Sequence, residues 1–436
     1  MLDLEVTIRF INGTYSSVKR PIMHFQLSRI LITGALAAFL PVAVLAQTLP
    51  LTLGQAIALA QERAPGLRGA DAAARAADAG VEVAGLRPNP TLSVEAENVF
   101  GTGPYTGFGG AERTVSLSVP LELGGKRQAR VNVAQAERAA AGVGVLAARA
   151  DLTQRVTEAF VLMAAAERRL EIFRSGVQWA ERAAHAAGER VRAGKASPIE
   201  EQRAQVLLVG AQTQLGKAER ALILSRGDLA RLTGDGAPKT ISAGWFDAFS
   251  GPRPVAPPQL LLTEAAAQAQ LTLAGARLDA ARRDRVPDVT LTAGTRRYGG
   301  SSDKAAVLAL SIPLPFFNPG TAAVARAAAE HEKAVAEREA AAIDAQQGLA
   351  HAAAEVDDAR AVAQAAAGPA LTAAQEAARI ARLGYAEGKF GQLEMIEAER
   401  SLAQTREAAL DATTDYHLAQ ARMARQQGST EPPYKD

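Results

Sequence analysis

Four short stretches of the chain alternate apolar and polar residues with a period of two, and they come as two pairs. In 90–100, Leu92, Val94 and Ala96 alternate with Thr91, Ser93, Glu95 and Glu97. In 114–121, Val115, Leu117, Val119 and Leu121 alternate with Thr114, Ser116 and Ser118. The second pair covers 288–297, with Val289, Leu291 and Ala293 set against Thr290 and Thr292, and 306–314, with Leu308, Leu310 and Ile312. Such alternation predicts strands with one apolar and one wet face. Lengths of about 9–11 residues suit a tilted strand that crosses a membrane.

Ala-rich helical pattern fills the rest. An opening helix is expected over 52–86 and again over 259–285, ended by the prolines at 88 and 287 and bent in the first case at Pro65-Gly66. After the second strand comes a proline-free run, 121–197. A helix over about 125–192 would reach about 100 Å at 1.5 Å per residue. Gly194-Lys195-Ala196-Ser197-Pro198 then turns the chain into a return helix, about 198–233, roughly 53 Å long. Opening and return helices together match the long one, so two short rods should stack end to end beside one continuous rod. The later half repeats this: a long helix over about 319–384, kinked at Gly368-Pro369, then a return helix over about 392–427 and a disordered tail, 428–436.

The two halves are one unit written twice. Thr91 of RPNPTLSVEAE matches Thr290 of VPDVTLTAGTR, an offset of 199; Pro120 matches Pro313, an offset of 193; Gly194 matches Gly388, an offset of 194. A period near 195 is too long for a solenoid, so a whole structural unit is duplicated, 47–233 and 259–427. Between them, 234–258 is dense in Gly and Pro and carries Trp245-Phe246, which marks a small irregular connector.

Four strands cannot close a barrel in lipid, where the smallest has eight and an open edge is not tolerated. Three chains would supply twelve strands, and twelve helical rods can close around a similar circumference. The fold class expected is therefore mainly α with membrane β: four strands and long antiparallel helices per chain, three chains making a 12-strand β-barrel and a helical tube.

Composition narrows the function. The chain has no cysteine, which removes disulfides, thiolate metal sites, cysteine nucleophiles and an N-terminal lipidated cysteine. Residues 30–46 form an apolar run after Arg29 ending in Val44-Leu45-Ala46. This reads as a secretory signal within 1–46, starting at Met23 and cleaved after Ala46. Its removal leaves 44 basic and 44 acidic residues, which gives no reason to expect nucleic acid. No enzyme site is visible. His185, His331, His351 and His417 and the methionines Met163, Met395 and Met423 are scattered along helices without partners at ligand spacing, so no resident metal or cofactor is expected.

LTLGQAIALAQERAPGLRGADA at 51–72, LELGGKRQARVNVAQAE at 121–137 and IPLPFFNPGTAAVARA at 312–327 resemble the opening helix and strand-to-helix junctions of the TolC-type outer-membrane efflux family. The LGGKR and PLPFFN wordings are most similar to the heavy-metal, CzcC-like branch. The resemblance implies a passive homotrimeric conduit, its β-barrel in the outer-membrane lipid and its α-helical tunnel in the periplasm. It would work with a periplasmic adaptor and an inner-membrane proton-driven pump of the RND type, most readily for heavy-metal cations. A conduit for drugs or secreted polypeptides, or a periplasmic adaptor, are the alternatives.

The same resemblance places a periplasmic gate at Glu394 and Glu397, which share a helix face at i and i+3, with Glu200 and Tyr385; Phe390 stands where the family has a basic residue. Gly194, Lys195, Gly388 and Lys389 would form the adaptor-docking turns. Phe316 and Phe317 are expected at the inner lipid interface, and Tyr105, Phe108 and Tyr298 near the outer one.

Overall fold

The computed structural model describes residues 50–234, 240–249, 261–431 and 433–434; the expected signal and its cleavage site lie outside them. The first unit begins with α1 (Leu53–Arg63) and α2 (Pro65–Gly85). Thr52 opens α1 with a reciprocal cap, its hydroxyl accepting from Gln55 N–H at 3.3 Å while its own N–H donates to Gln55 Oε1 at 3.2 Å. The expected bend at Pro65 is a full break. Pro65 supplies no N–H, and it holds Ala64 extended at φ −60° and ψ 119°.

Next come β1 (Thr91–Glu97) and β2 (Glu112–Leu121), then α3 (Lys126–Arg192) and α4 (Pro198–Thr233). The second unit repeats the order as α5 (Leu262–Arg283), β3 (Val289–Tyr298), β4 (Lys304–Ser311), α6 (Thr321–Ala365), α7 (Leu371–Ala386) and α8 (Gln392–Gln426). Strand ends differ from the periodicity by a few residues, for local reasons. β1 stops at Glu97 because Asn98 adopts φ +57° and turns the chain. β4 stops at Ser311, since Pro313 and Pro315 cannot donate to a ladder. Pro369 does not break the second long helix but sits in a single π turn, Ala366–Ala370, which absorbs its missing N–H between α6 and α7.

The strands form one antiparallel sheet in the order β1-β2-β3-β4, so β1 and β4 are both free edges. Its register aligns Leu92 with Leu117 and Val94 with Val115, then Leu117 with Ala293 and Val119 with Leu291, then Leu291 with Leu310 and Ala293 with Leu308. All the apolar alternates therefore share one face, and that face is exposed. The polar face is knit across units, with Ser118 Oγ 2.8 Å from Thr292 Oγ1 and Arg296 donating to Thr114 Oγ1 at 3.0 Å.

The helices continue this order. Near the sheet α2 packs on α3, α3 on α5 and α5 on α6; further along, α4 packs on α3, α3 on α8 and α8 on α6 and α7. Both levels are four rods wide, as the sheet is four strands wide. Two clamps join the layers where strands pass into helices. Arg130 forks onto Glu122, and its guanidinium holds that carboxyl below its usual value. Lys126 meets Asp288 at 2.9 Å; burial pushes the Asp288 carboxyl up, but Lys126 and the Leu123 N–H outweigh it and hold it below its ordinary value.

The core lies at mid-height of α3. Leu53, Ile57 and Ala60 of α1 close on Val156, Phe160 and Met163, with Leu229 of α4 alongside. The connector is part of it: Leu51 and Ile241 form a bridge, and Phe246 is buried against Val161 and Leu410. The tail, expected to be disordered, is anchored at Tyr434, whose ring stacks on Trp245 at 4.0 Å with 6° between planes. The stack covers His417, which is fully buried: Phe246 O accepts from its Nε2–H at 2.8 Å, and Nδ1 faces the Tyr434 hydroxyl at 2.8 Å. Burial holds the His417 imidazole below its ordinary value.

Candidate functional site

Both long helices end in the same turn. At the first, Gly194 N–H donates to Val191 O at 2.9 Å and Lys195 N–H to Arg190 O at 2.8 Å; at the second, Gly388 N–H donates to Tyr385 O at 3.1 Å and Lys389 N–H to Gly384 O at 2.7 Å. This double bond closes a helix through one left-handed residue, and Gly194 at φ +66° and Gly388 at φ +72° supply it. Space is not the constraint, because a Cβ on either glycine would meet nothing within 4 Å. Lys195 and Lys389 are exposed at the apex, the latter paired with Glu387 at 2.6 Å.

Above the turns the two units touch through the expected Tyr385 and Glu200 and through Arg190 and Gln392, which the sequence did not single out. The Arg190 guanidinium lies 5.0 Å from the centre of the Tyr385 ring. Gln392 is buried and donates to Glu200 O at 3.0 Å. Glu200 thus joins the second unit through its backbone, while its Oε2 is buried without a partner among the described residues. Phe390 lies over Gly384, where a Cβ would come within 2.2 Å of the ring. Phe390 closes the turn by packing. Arg190 stands four residues before Gly194, as Gly384 does before Gly388, so only the internal repeat could have drawn attention to both.

Glu394 and Glu397 are both exposed on α8 but sit in different surroundings. Glu394 lies in the first turn of the helix, its carboxylate folded back toward Gly391, where the helix dipole favours negative charge. Glu397 faces Arg400 at 4.0 Å, both side chains 60% exposed, and lines a groove of about 1170 Å³ between α3, α4 and α8. Leu393, Ile396, Trp179 and Val206 give that groove an apolar floor. The structure therefore brings Glu200, Tyr385 and Arg190 to the junction of the units, with Glu397 on the open groove nearby.

At the other end, Phe316 and Phe317 are exposed just beyond β4, on the helix side of the sheet. Tyr105 and Phe108 lie in the loop between β1 and β2, where Phe108 meets Phe100 edge-on at 5.6 Å, and Tyr298 ends β3 beside the next hairpin loop. Phe316 and Phe317 thus lie beyond one end of the apolar face and Tyr105 and Phe108 beyond the other, whereas Tyr298, the register partner of Glu112, stands on the polar face. Among the described residues no helix is long and apolar enough to cross a membrane.

A duplicated four-stranded sheet, apolar on its exposed face and continuous with helices of about 100 Å, is the protomer of an outer-membrane channel. The chain belongs to the outer membrane efflux protein family, whose model matches residues 56–235 and 264–429. It is 32% identical over 365 residues to the cobalt-zinc-cadmium resistance protein CzcC of Cupriavidus metallidurans, covering 82% of this chain and 85% of that one. The nickel and cobalt resistance protein CnrC of the same organism is 28% identical over 322 residues, 72% of this chain and 76% of its own. Among solved structures, the outer membrane protein VceC of Vibrio cholerae has the same fold, with a TM-score of 0.71 at 21% identity over 86% of this chain and 96% of that one.

Proposed function

We propose that the chain is the outer-membrane subunit of a tripartite heavy-metal efflux system, a passive homotrimeric conduit for divalent cations from periplasm to exterior. The observation that carries the conduit is the sheet: two free edges and one exposed apolar face are stable in lipid only when neighbouring copies pair the edges. Similarity along most of the chain to metal-resistance proteins supports the choice of cargo.

In this reading the turns at Gly194-Lys195 and Gly388-Lys389 dock a periplasmic adaptor, which couples the conduit to an inner-membrane RND pump. Glu394, Glu397, Glu200 and Tyr385 form the gate; Phe316 and Phe317 mark the inner lipid interface, and Tyr105 and Phe108 the outer one, while Tyr298, on the polar face, does not belong to it. Deleting the gene and testing resistance to cobalt, zinc, cadmium, nickel and copper checks the cargo: sensitivity restored to normal by the intact chain is expected for several of these metals. Unchanged metal resistance with raised sensitivity to organic drugs would assign the conduit to drug efflux instead.

A further inference from the structure

The sheet carries charge on its apolar face at one end only. Arg113 of β2 is the register partner of Arg297 of β3, and Arg297 is the partner of Lys304 of β4. Counting in twos from Arg113 leads to Val115, Leu117 and Val119, from Arg297 to Thr295, Ala293 and Leu291, and from Lys304 to Ala306, Leu308 and Leu310. All three cations therefore stand on the exposed apolar face, side by side in one row. At a strand spacing of about 4.8 Å the row is about 10 Å wide. Ala96 continues it on β1.

Like charges directly opposite one another on a sheet destabilise it, so this row needs an anion. The described residues do not provide one. Among the described residues no ion pair engages Arg113, Arg297 or Lys304, although carboxylates are close by in sequence. Those carboxylates are on the other face. There Glu97 and Glu112 both bind Arg296, at 3.0 Å each. One face of the same strand ends is neutralised internally and the other is left positive.

The row also lies at a defined depth. From Val289 to Arg297 the strand climbs about 27 Å, or roughly 20 Å along the membrane normal once tilted by about 40°. The cations thus stand at the edge of the apolar band, on the side of the hairpin loops 98–111 and 299–303 and away from the helices. Since the helices are periplasmic in the channel reading, on which this inference rests, the row meets the outer leaflet. The chemistry presented there by a Gram-negative outer membrane is a phosphorylated glycolipid. We propose that Arg113, Arg297 and Lys304 form a binding row for the phosphate groups of that outer-leaflet glycolipid.

Native mass spectrometry of the full-length channel in detergent, titrated with diphosphorylated lipid A, tests this. Each basic group at an anionic lipid surface contributes about fivefold, so the variant Arg113→Gln/Arg297→Gln/Lys304→Gln should retain about 100-fold less lipid A. Single variants should each lose about fivefold, which serves if the triple variant assembles poorly. Exchanging Arg for Lys and Lys for Arg at these positions should keep retention, and fully dephosphorylated lipid A should not distinguish the variants. Equal retention by the intact and triple-variant channels, both recovered from the outer membrane, overturns the row and leaves the channel reading standing. A chain that never reaches the outer membrane overturns both.

Discussion

Gly384 and Phe390 show how narrowly one residue can fix the tip. A methyl group at Gly384 would enter the Phe390 ring, so Gly384→Ala must displace it, at a cost of about 1–3 kcal/mol. Faster amide exchange over 384–392 is the expected result, relieved when Phe390→Ala is added; a double variant no better than the single would show that the ring is not what the methyl meets. His417 makes a pH prediction. Its folded-state value lies below the ordinary 6.5, so its contribution is complete above that pH. As pH falls the unfolded chain takes up the proton first, and the contribution is lost as pH drops through the folded value. The melting temperature should fall between about pH 7 and pH 5, with a shallower fall in His417→Gln. Neither pair was legible in the sequence. Phe390 reaches Gly384 across a turn whose geometry sets the contact, and His417 is buried by Tyr434 of the tail together with Trp245, far from it along the chain.

At the scale of elements the sequence was far more informative, and where it failed the reasons are local. α4 runs over the expected residues because Gly194 and Pro198 mark a stop and a start that depend only on backbone chemistry. The strand ends were less legible: alternation cannot register that Asn98 turns early or that Pro313 ends a ladder. The row of Arg113, Arg297 and Lys304 emerges only from the pairing of β2, β3 and β4, since a slip of one residue would scatter it over both faces. The shared turn carries its own prediction. Valine at Gly194 and Gly388 costs about 1–2 kcal/mol at each left-handed position and disturbs the apex without touching the sheet. Metal resistance should be lost while outer-membrane trimers persist. Normal resistance at normal expression would remove the turns from the adaptor contact.

For the whole molecule, three chains would bring six carboxylates from Glu394 and Glu397 toward one axis. At about 6 Å two like charges repel by roughly 0.7 kcal/mol even in a water-like medium, enough to favour cations in a narrow passage. Planar-bilayer recordings of Glu394→Gln/Glu397→Gln should show weaker cation selectivity and weaker block by multivalent cations. The trimer should survive, because exposed helix charges contribute little to stability. Unchanged selectivity and block would place these glutamates outside the passage.

The two unpaired edges, β1 and β4, have a consequence for inheritance. If no copy can persist in lipid alone, every channel is a sample of three from the pool of newly made chains. A cell making intact and defective subunits in equal amounts would then hold only about one channel in eight built wholly from intact chains. A missense allele that spares the edges but spoils the tip should therefore be dominant. One that removes β1 or β4 should be recessive, because its product never joins the pool.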